Sequence, residues 1–311
     1  MKVIVCLLTK NSLSTFQSWF DALKSQKCIL TDFLIFDSNS SDGTRELLNS
    51  IGISFYSLLS QSFDHGTTRQ LANTLCHDSD IIVYMTQDAI LANSHALERL
   101  ITAFDDPTVG AAYGRQLPRK SANPIEAHAR LFNYPPESRK KTVDDIPSMG
   151  IKTAFISNSF AAYRRSALNA IGGFPDHCIV SEDTYVAAKM LLAGWKIAYC
   201  AEAQVNHSHN YSYWQEFQRY FDIGVFHARQ PWVRQSFGGA EGEGGRFLRS
   251  EISFLLTNAP LFLPSAFLRT AIKYLGFRSG VLERLLPAGV KRFISMQKTF
   301  WDREAVETDD A

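Results

Sequence analysis

Short apolar runs alternate with helix-like stretches from Val3 to Met85, and that rhythm restricts the fold more than any other feature of the chain. Val3–Leu8, Phe33–Phe36, Ser54–Leu58 and Ile81–Met85 read as strands. Leu13–Ser25, the segment opening at Gly43–Asn49, and Thr67–Cys76 read as the helices between them. Such alternation predicts an α/β fold, a mostly parallel sheet covered by helices. In open sheets of this kind ligands bind beyond the carboxyl ends of the strands. Chemistry is therefore sought in the loops after Phe36 and Met85.

Farther along, Ala122–Lys152 is rich in proline, polar and charged residues, and a mobile loop is expected near Pro135–Lys141. Ile156–Tyr163 resumes a strand-like pattern and Ile171–Pro175 reads as a turn. Thr184–Leu192 is an amphipathic segment, followed by a turn at Gly194 and a short strand, Lys196–Cys200. Gly238–Gly245 (GGAEGEGG) reads as a hinge. The expected organisation is a catalytic domain over 1–237 and a helical C-terminal region over 238–311.

A chain of 311 residues with 45% hydrophobic and 20% charged residues has the composition of a globular protein with a real core. The net charge of +1 gives no electrostatic case for a nucleic-acid partner. Cys6, Cys28, Cys76, Cys178 and Cys200 are odd in number and scattered, the usage of reduced thiols in a cytoplasmic protein. The N-terminal apolar run is too short for a signal-peptide core. Ile252–Leu268 is broken by Asn258, Pro260 and Pro264, so no transmembrane span is expected. From Arg246 to Lys298 nine Lys/Arg stand against two Glu, among Phe and Leu. Basic amphipathic helices of this kind suit an anionic membrane surface, a reading placed ahead of an ordinary bundle packed on the catalytic domain.

Four places carry candidate chemistry. Asp37 follows a strand and precedes the polar turn Ser38–Asp42, where a carboxylate can accept hydrogen bonds from a base or ribose and backbone N–H groups suit phosphate; Asp42 reads as a helix cap. Asp88 ends the strand-and-turn Thr86-Gln87-Asp88-Ala89. Glu182 and Asp183 open the amphipathic segment, as a functional carboxylate pair or as first-turn capping acids. His207 and His209 lie past the next strand. Carboxylate, carboxylate and imidazole form a set suited to metal-assisted group transfer.

The run Asp37-Ser38-Asn39-Ser40-Ser41-Asp42-Gly43-Thr44 resembles the signature of family 2 inverting glycosyltransferases, whose fold is the nucleotide-sugar-binding GT-A type. The resemblance continues in order through His65-Gly66-Thr67-Thr68-Arg69-Gln70, Thr86-Gln87-Asp88-Ala89, Ile171-Gly172-Gly173-Phe174, Ser181-Glu182-Asp183 and His207. The spellings HGTTRQ, TQDA and HSHNYS are similar to those of bacterial rhamnosyltransferases of surface-polysaccharide assembly, as are Tyr274-Leu275-Gly276-Phe277 and Leu286-Pro287.

The resemblance implies a GT-A sheet with a C-terminal helical extension. Thr9, Asp37, His65, Arg69, Gln87 and Asp88 would lie on the donor side, and Asn158 and Glu182 on the acceptor side. A divalent ion, Mg²⁺ or Mn²⁺, would sit at Asp88 and His207, with His209 in reserve, and Asp183 would be the general base. Asp88 matches the last acid of the family's D-x-D motif; here Thr86 and Gln87 carry no charge, so the ion needs imidazole and phosphate ligands as well. The implied reaction moves a sugar, L-rhamnose from dTDP-L-rhamnose, to a lipid-linked or lipopolysaccharide glycan at the inner face of the cytoplasmic membrane. A UDP-hexose or UDP-N-acetylhexosamine donor is the alternative within the family. A nucleotidyltransferase and a non-catalytic nucleotide-sugar or glycolipid binder are the alternatives outside it. Oligomeric state is not legible.

Overall fold

The computed structural model describes residues 1–28, 32–58, 64–239 and 241–309. The first half runs β1 (Val3–Thr9), α1 (Leu13–Lys24), β2 (Asp32–Asp37), α2 (Thr44–Ser50), β3 (Tyr56–Ser57), α3 (His65–Leu75), β4 (Ile81–Thr86), β5 (Ile90–Leu91), α4 (Ala96–Ile101) and β6 (Val109–Leu117). Then follow α5 (Pro124–Asn133), β7 (Arg139–Lys141), α6 (Ile146–Met149), β8 (Phe160–Arg164), α7 (Arg165–Ala170), α8 (Glu182–Leu192) and β9 (Lys196–Asn206). The rest is helical: α9 (Tyr213–Arg229), α10 (Pro231–Phe237), α11 (Glu241–Asn258), α12 (Leu263–Val281), α13 (Ala288–Ile294) and α14 (Lys298–Asp309).

The strands form one sheet in the order β3-β2-β1-β4-β8-β6-β9-β5, with β7 pairing on β9. β1 is parallel to β2 and β4, and β6 is parallel to β9, while β8 runs antiparallel between β4 and β6. One edge of the sheet therefore collects the carboxyl ends of β1, β2, β4, β6 and β9 together with the amino end of β8. Strand β1 shows why both faces are covered. Val3, Val5 and Leu7 face a core shared with Phe16, Trp19 and Leu23 of α1 and Leu97 and Leu100 of α4. Cys6 and Leu8 face the opposite core with Ala72 of α3 and Val186, Met190 and Leu191 of α8. Period-two alternation with apolar residues on both sides is the signature of a doubly covered sheet.

Several expectations need correction. The segment expected to be mobile, Pro135–Lys141, ends in β7, which pairs antiparallel with β9. Lys141 is buried there, its Nζ donating to the Phe155 carbonyl and, at 3.3 Å, to the Tyr113 hydroxyl. The expected hinge at 238–245 is largely the start of α11, which begins at Glu241 (Ala240 lies outside the described residues). Ile156–Tyr163 is a strand only from Phe160. β9 extends six residues beyond the expected Cys200, and α4 and β6 carry no expectation.

Packing does not break at Gly238. α9 lies against α12 with no side chain between the backbones at Gly224, Gly276 and Gly280: a Cβ on Gly280 would stand 2.0 Å from the Phe221 carbonyl oxygen and one on Gly276 2.5 Å from that of Phe217. Phe300 and Trp301 of α14 share a core with Cys178, Ile179 and Phe221, and Arg303 reaches the α3 cap Asp64 at 3.0 Å. The helical layer begins at α9 and is pinned back onto the sheet domain. Among the described residues no helix is long and apolar enough to cross a membrane.

Candidate functional site: a carboxylate–imidazole cluster and a tuned acid

The site lies along the edge where the parallel strands end. β4 stops at Thr86, and the following turn presents Asp88, whose Oδ1 accepts a 2.7 Å hydrogen bond from the Thr86 hydroxyl. β9 runs to Asn206 and delivers His207 and His209. Their Nε2 atoms lie 3.2 and 3.3 Å from Asp88 Oδ2. One ligand atom from each of the three residues falls within 4.8 Å of the others.

The protonation pattern favours a cation. Gln116, at the end of β6, donates through Nε2 to Ser157 Oγ at 2.9 Å, which turns its Oε1 toward His207 Nδ1 at 2.8 Å. Nδ1 must then carry the proton, leaving the Nε2 lone pair aimed at Asp88. Burial also lowers the pKa of His207, and burial with the neighbouring His207 lowers His209 to about 4. A carboxylate oxygen of Asp88 thus faces the His207 Nε2 lone pair, acceptor to acceptor. A carboxylate and two neutral imidazoles of this kind form a set suited to a divalent metal ion.

A second group sits beside the first. Ser181 takes a left-handed conformation (φ 63°) that starts α8 abruptly, a strained geometry for a residue with a Cβ. Glu182 behind it is 6% exposed and Arg69 of α3 is 3% exposed, with Arg69 Nη1 donating to Glu182 Oε1 at 2.7 Å. Asn158 Nδ2 donates to the same oxygen at 3.0 Å, and Tyr163 holds Asn158 through a 2.7 Å bond to its Oδ1. Burial opposes the charge on Glu182, but Arg69 and then His65 outweigh it and keep its pKa low. Among the described residues no cation pairs with Asp183 at ion-pair distance. Its Oδ2 accepts from the Asn158 backbone N–H at 3.3 Å. Burial, and after it the Glu182 charge, push its carboxyl up to about 7, the range a general base needs.

The segment Ser157-Asn158-Ser159 joins the two groups. Ser157 orients the glutamine that holds His207, Asn158 contacts both Glu182 and Asp183, and the Ser159 carbonyl accepts from Thr86 N at 3.4 Å, two residues before Asp88. Because β8 runs antiparallel, this loop enters at the same edge as the carboxyl ends of its neighbours.

The remaining candidates form a third group at the ends of β1 and β2. Thr9 and Asp37 are register partners. The Thr9 hydroxyl donates to Gln87 Oε1 at 2.8 Å, and Gln87 is further spent on the Lys10 backbone at 2.7 and 2.8 Å, so its amide braces the β1–α1 loop. Asp37 is wholly buried, its carboxylate engaged by Ser40 and 3.5 Å from Arg45 Nε. Asp42 accepts from Leu13 N and Thr44 N, tying α1 to α2. Arg69 and His65 do not join this group: the Arg69 guanidinium is turned into the Glu182 pair, with a further bond to the His65 carbonyl at 3.2 Å. Sequence reasoning missed Gln116, Ser157, Tyr163 and Arg119, which donates to the Asp88 carbonyl. A polar residue ending an apolar strand, as Gln116 does, is the signal that was available.

A nucleotide-binding type of sheet, a carboxylate–imidazole cluster suited to a divalent ion and a raised carboxyl beside it define a GT-A glycosyltransferase. The chain belongs to glycosyl transferase family 2, whose model matches residues 4–172. It is similar to the O-antigen chain rhamnosyltransferase RfbN of Salmonella typhimurium, 49% identical over 97% of this chain and 96% of that protein. It is also similar to the O-antigen chain rhamnosyltransferase WbaN of Salmonella anatum, 50% identical over 91% of this chain and 90% of that one. Among solved structures, the mannosyltransferase PcManGT of Pyrobaculum calidifontis, in complex with GDP-Man and Mn²⁺, shares the fold at a TM-score of 0.57 and 18% identity, covering 98% of this chain and 86% of that one.

Proposed function

We propose that this glycosyltransferase moves L-rhamnose from dTDP-L-rhamnose to a hydroxyl of a lipid-linked or lipopolysaccharide glycan, with inversion. Names of relatives at half identity over nearly the full chain support the sugar. The observation that carries the chemistry is the pairing of the Asp88–His207–His209 cluster with Asp183 across the Ser157–Ser159 loop.

The assigned roles follow from that arrangement. Asp183 takes the acceptor proton as the hydroxyl attacks the sugar from the face opposite the nucleotide. A positioned base of suitable pKa contributes about 10²–10⁴-fold. Asn158 and Glu182 hold that carboxyl in place, with Arg69 neutralising Glu182 from behind. Asp88, His207 and His209 would hold a divalent ion, which when bound stabilises charge on the departing diphosphate. Gln116 fixes the imidazole tautomer that this requires. Thr9, Asp37 and Gln87 line the nucleotide side, where Asp37 meets the base once the Ser40 turn opens.

The acceptor is placed at the inner face of the cytoplasmic membrane by the C-terminal helices. Between Leu261 and Lys298 the sole acidic residue, Glu283, is buried and paired with Arg229 and Lys291. The same stretch exposes Leu261, Phe267, Leu268, Leu275, Leu285 and Phe293 beside exposed Arg278, Arg284 and Lys298. An apolar, cationic face of this composition suits anionic lipid.

The test is donor turnover by the purified chain with Mn²⁺ and a lipid-linked acceptor. Product carrying rhamnose of inverted anomeric configuration is expected. Turnover of a UDP-hexose in preference to dTDP-L-rhamnose would overturn the sugar assignment while leaving the enzyme class standing.

A further inference from the structure

Arg219, on the second turn of α9, stands outside everything so far assigned. Its guanidinium carbon lies 5.7 Å from the centroid of the Tyr211 ring. Tyr211 stacks on His209 at 5.1 Å and 24°, and His209 meets His207 edge-on at 4.7 Å. Two ring contacts therefore connect this arginine to the carboxylate–imidazole cluster. The Tyr211 backbone is fixed in turn by Arg269, whose Nη1 donates to its carbonyl at 2.8 Å.

Its neighbours on the helical layer are neutralised. Arg269 lies 2.9 Å from Glu216, Arg229 3.1 Å from Glu283 and Arg303 3.0 Å from Asp64. No carboxylate among the described residues comes within ion-pair distance of Arg219, and its side chain is exposed. Through Tyr211 it stands on the side of α9 that meets His209.

A guanidinium over an aromatic ring, with no carboxylate partner among the described residues and beside a group-transfer site, is built to receive an anion. Guanidinium suits phosphate oxygens because its paired N–H groups match their spacing. We infer that Arg219 binds a phosphate group beside the Asp88–His207–His209 cluster, so that the C-terminal helical layer completes a site whose other residues come from the sheet domain. Two phosphates reach that site in the reaction proposed above, the donor's terminal phosphate and a phosphate next to the acceptor sugar, and the inference rests on that reading only for which of them is bound.

Arg219→Gln and Arg219→Lys are compared with the parent chain in three measurements: competition by inorganic diphosphate, calorimetric binding of dTDP with and without Mn²⁺, and KM for a glycan acceptor with and without its lipid diphosphate. A donor-phosphate role predicts dTDP binding weakened about 10–100-fold by Gln and less by Lys, with thymidine monophosphate changed less. An acceptor-phosphate role predicts unchanged dTDP binding and a KM raised about 10-fold for the diphosphate-bearing acceptor alone. Either result, with the parent's melting temperature retained, supports the inference. Unchanged diphosphate competition, dTDP binding and KM in Arg219→Gln overturn it. Failure of the parent itself to bind dTDP refutes the donor assignment instead, and the inorganic diphosphate arm still reads Arg219.

Discussion

Glu182→Gln isolates the electrostatic tuning of the base. Asp183 is held at about 7 against an ordinary 3.8, a gap of about 3 pH units, or about 4 kcal/mol at 1.36 kcal/mol per unit. Burial is the larger cause and the Glu182 charge the second, so the charge is the smaller of the two upward pushes. Removing it should move the acid limb of kcat/KM down by on the order of one pH unit from about 7. The direction follows from sign alone: a neutral neighbour no longer opposes ionisation of Asp183, and Arg69, no longer neutralised, favours it further. The same substitution leaves the Arg69 guanidinium buried without its partner, which costs about 3–5 kcal/mol and lowers the melting temperature by roughly 6–10 °C.

The double variant Arg69→Met/Glu182→Gln removes that second effect. It should regain much of the stability, and its acid limb should lie above that of Glu182→Gln, because the cation that stabilised ionised Asp183 has gone too. The assay is kcat/KM from pH 5.5 to 9 alongside thermal unfolding. An acid limb that stays at the parent's position or rises in Glu182→Gln would refute the assignment of that limb to an Asp183 tuned by Glu182.

Asp183→Asn should abolish transfer while sparing nucleotide binding, and it should also stabilise the fold in a pH-dependent way. A carboxyl whose folded pKa is raised contributes stability below its unfolded value and loses it as pH rises through the folded one, here about 7. Denaturant unfolding should thus find the variant about 1–3 kcal/mol more stable at pH 8.5, with the margin shrinking toward pH 5; a margin independent of pH would contradict the raised carboxyl. Gln116→Leu removes the acceptor that fixes the His207 tautomer and should weaken Mn²⁺ binding about 10–100-fold, read by calorimetry; equal affinity would mean that His207 is not a ligand through Nε2. Replacing Leu285 and Phe293 by Glu should reduce co-sedimentation with anionic vesicles without altering the melting temperature. Retention equal to the parent's would remove the C-terminal face from the membrane contact.

How much of this was legible depends on where the determining contacts lie. β1, β2 and β4 announce themselves because both faces are buried, and every residue from Val3 to Leu8 must be apolar. β6 escaped for the opposite reason: Gly110, Ala111, Ala112 and Gly114 are small because neighbours crowd them, a Cβ on Gly114 standing 2.3 Å from the Phe160 ring. Small residues carry little hydrophobic signal, so the strand holding Gln116 went unread. β7 is Arg-Lys-Lys, a sequence with no strand preference, and exists because β9 offers a free edge. The glycine run opening α11 is helical despite a cost of about 1 kcal/mol per glycine, since its helix continues into Phe247 and Leu255, which pack on His128 and Ile125 of α5.

The site divides along the same line. Carboxylates and histidines at strand ends and helix starts were found as residue types in a pattern, and Asp88, His207 and His209 do converge. Whether a side chain faces the ligand or faces a partner is a different matter, decided by contacts between residues far apart in the chain. Arg69 and Glu182 are separated by 113 positions and Gln116 and His207 by 91. No local pattern encodes either pair. Arg69, expected beside the nucleotide, pairs with Glu182, and in the proposed mechanism that pairing tunes the base: one acid of the pair is neutralised so that it stays ionised, and its charge then works on the other. With Arg69 on the donor, a bare Glu182 would have to be buried as a charge or protonated, and Asp183 would lose part of what lifts it into the working range of a base.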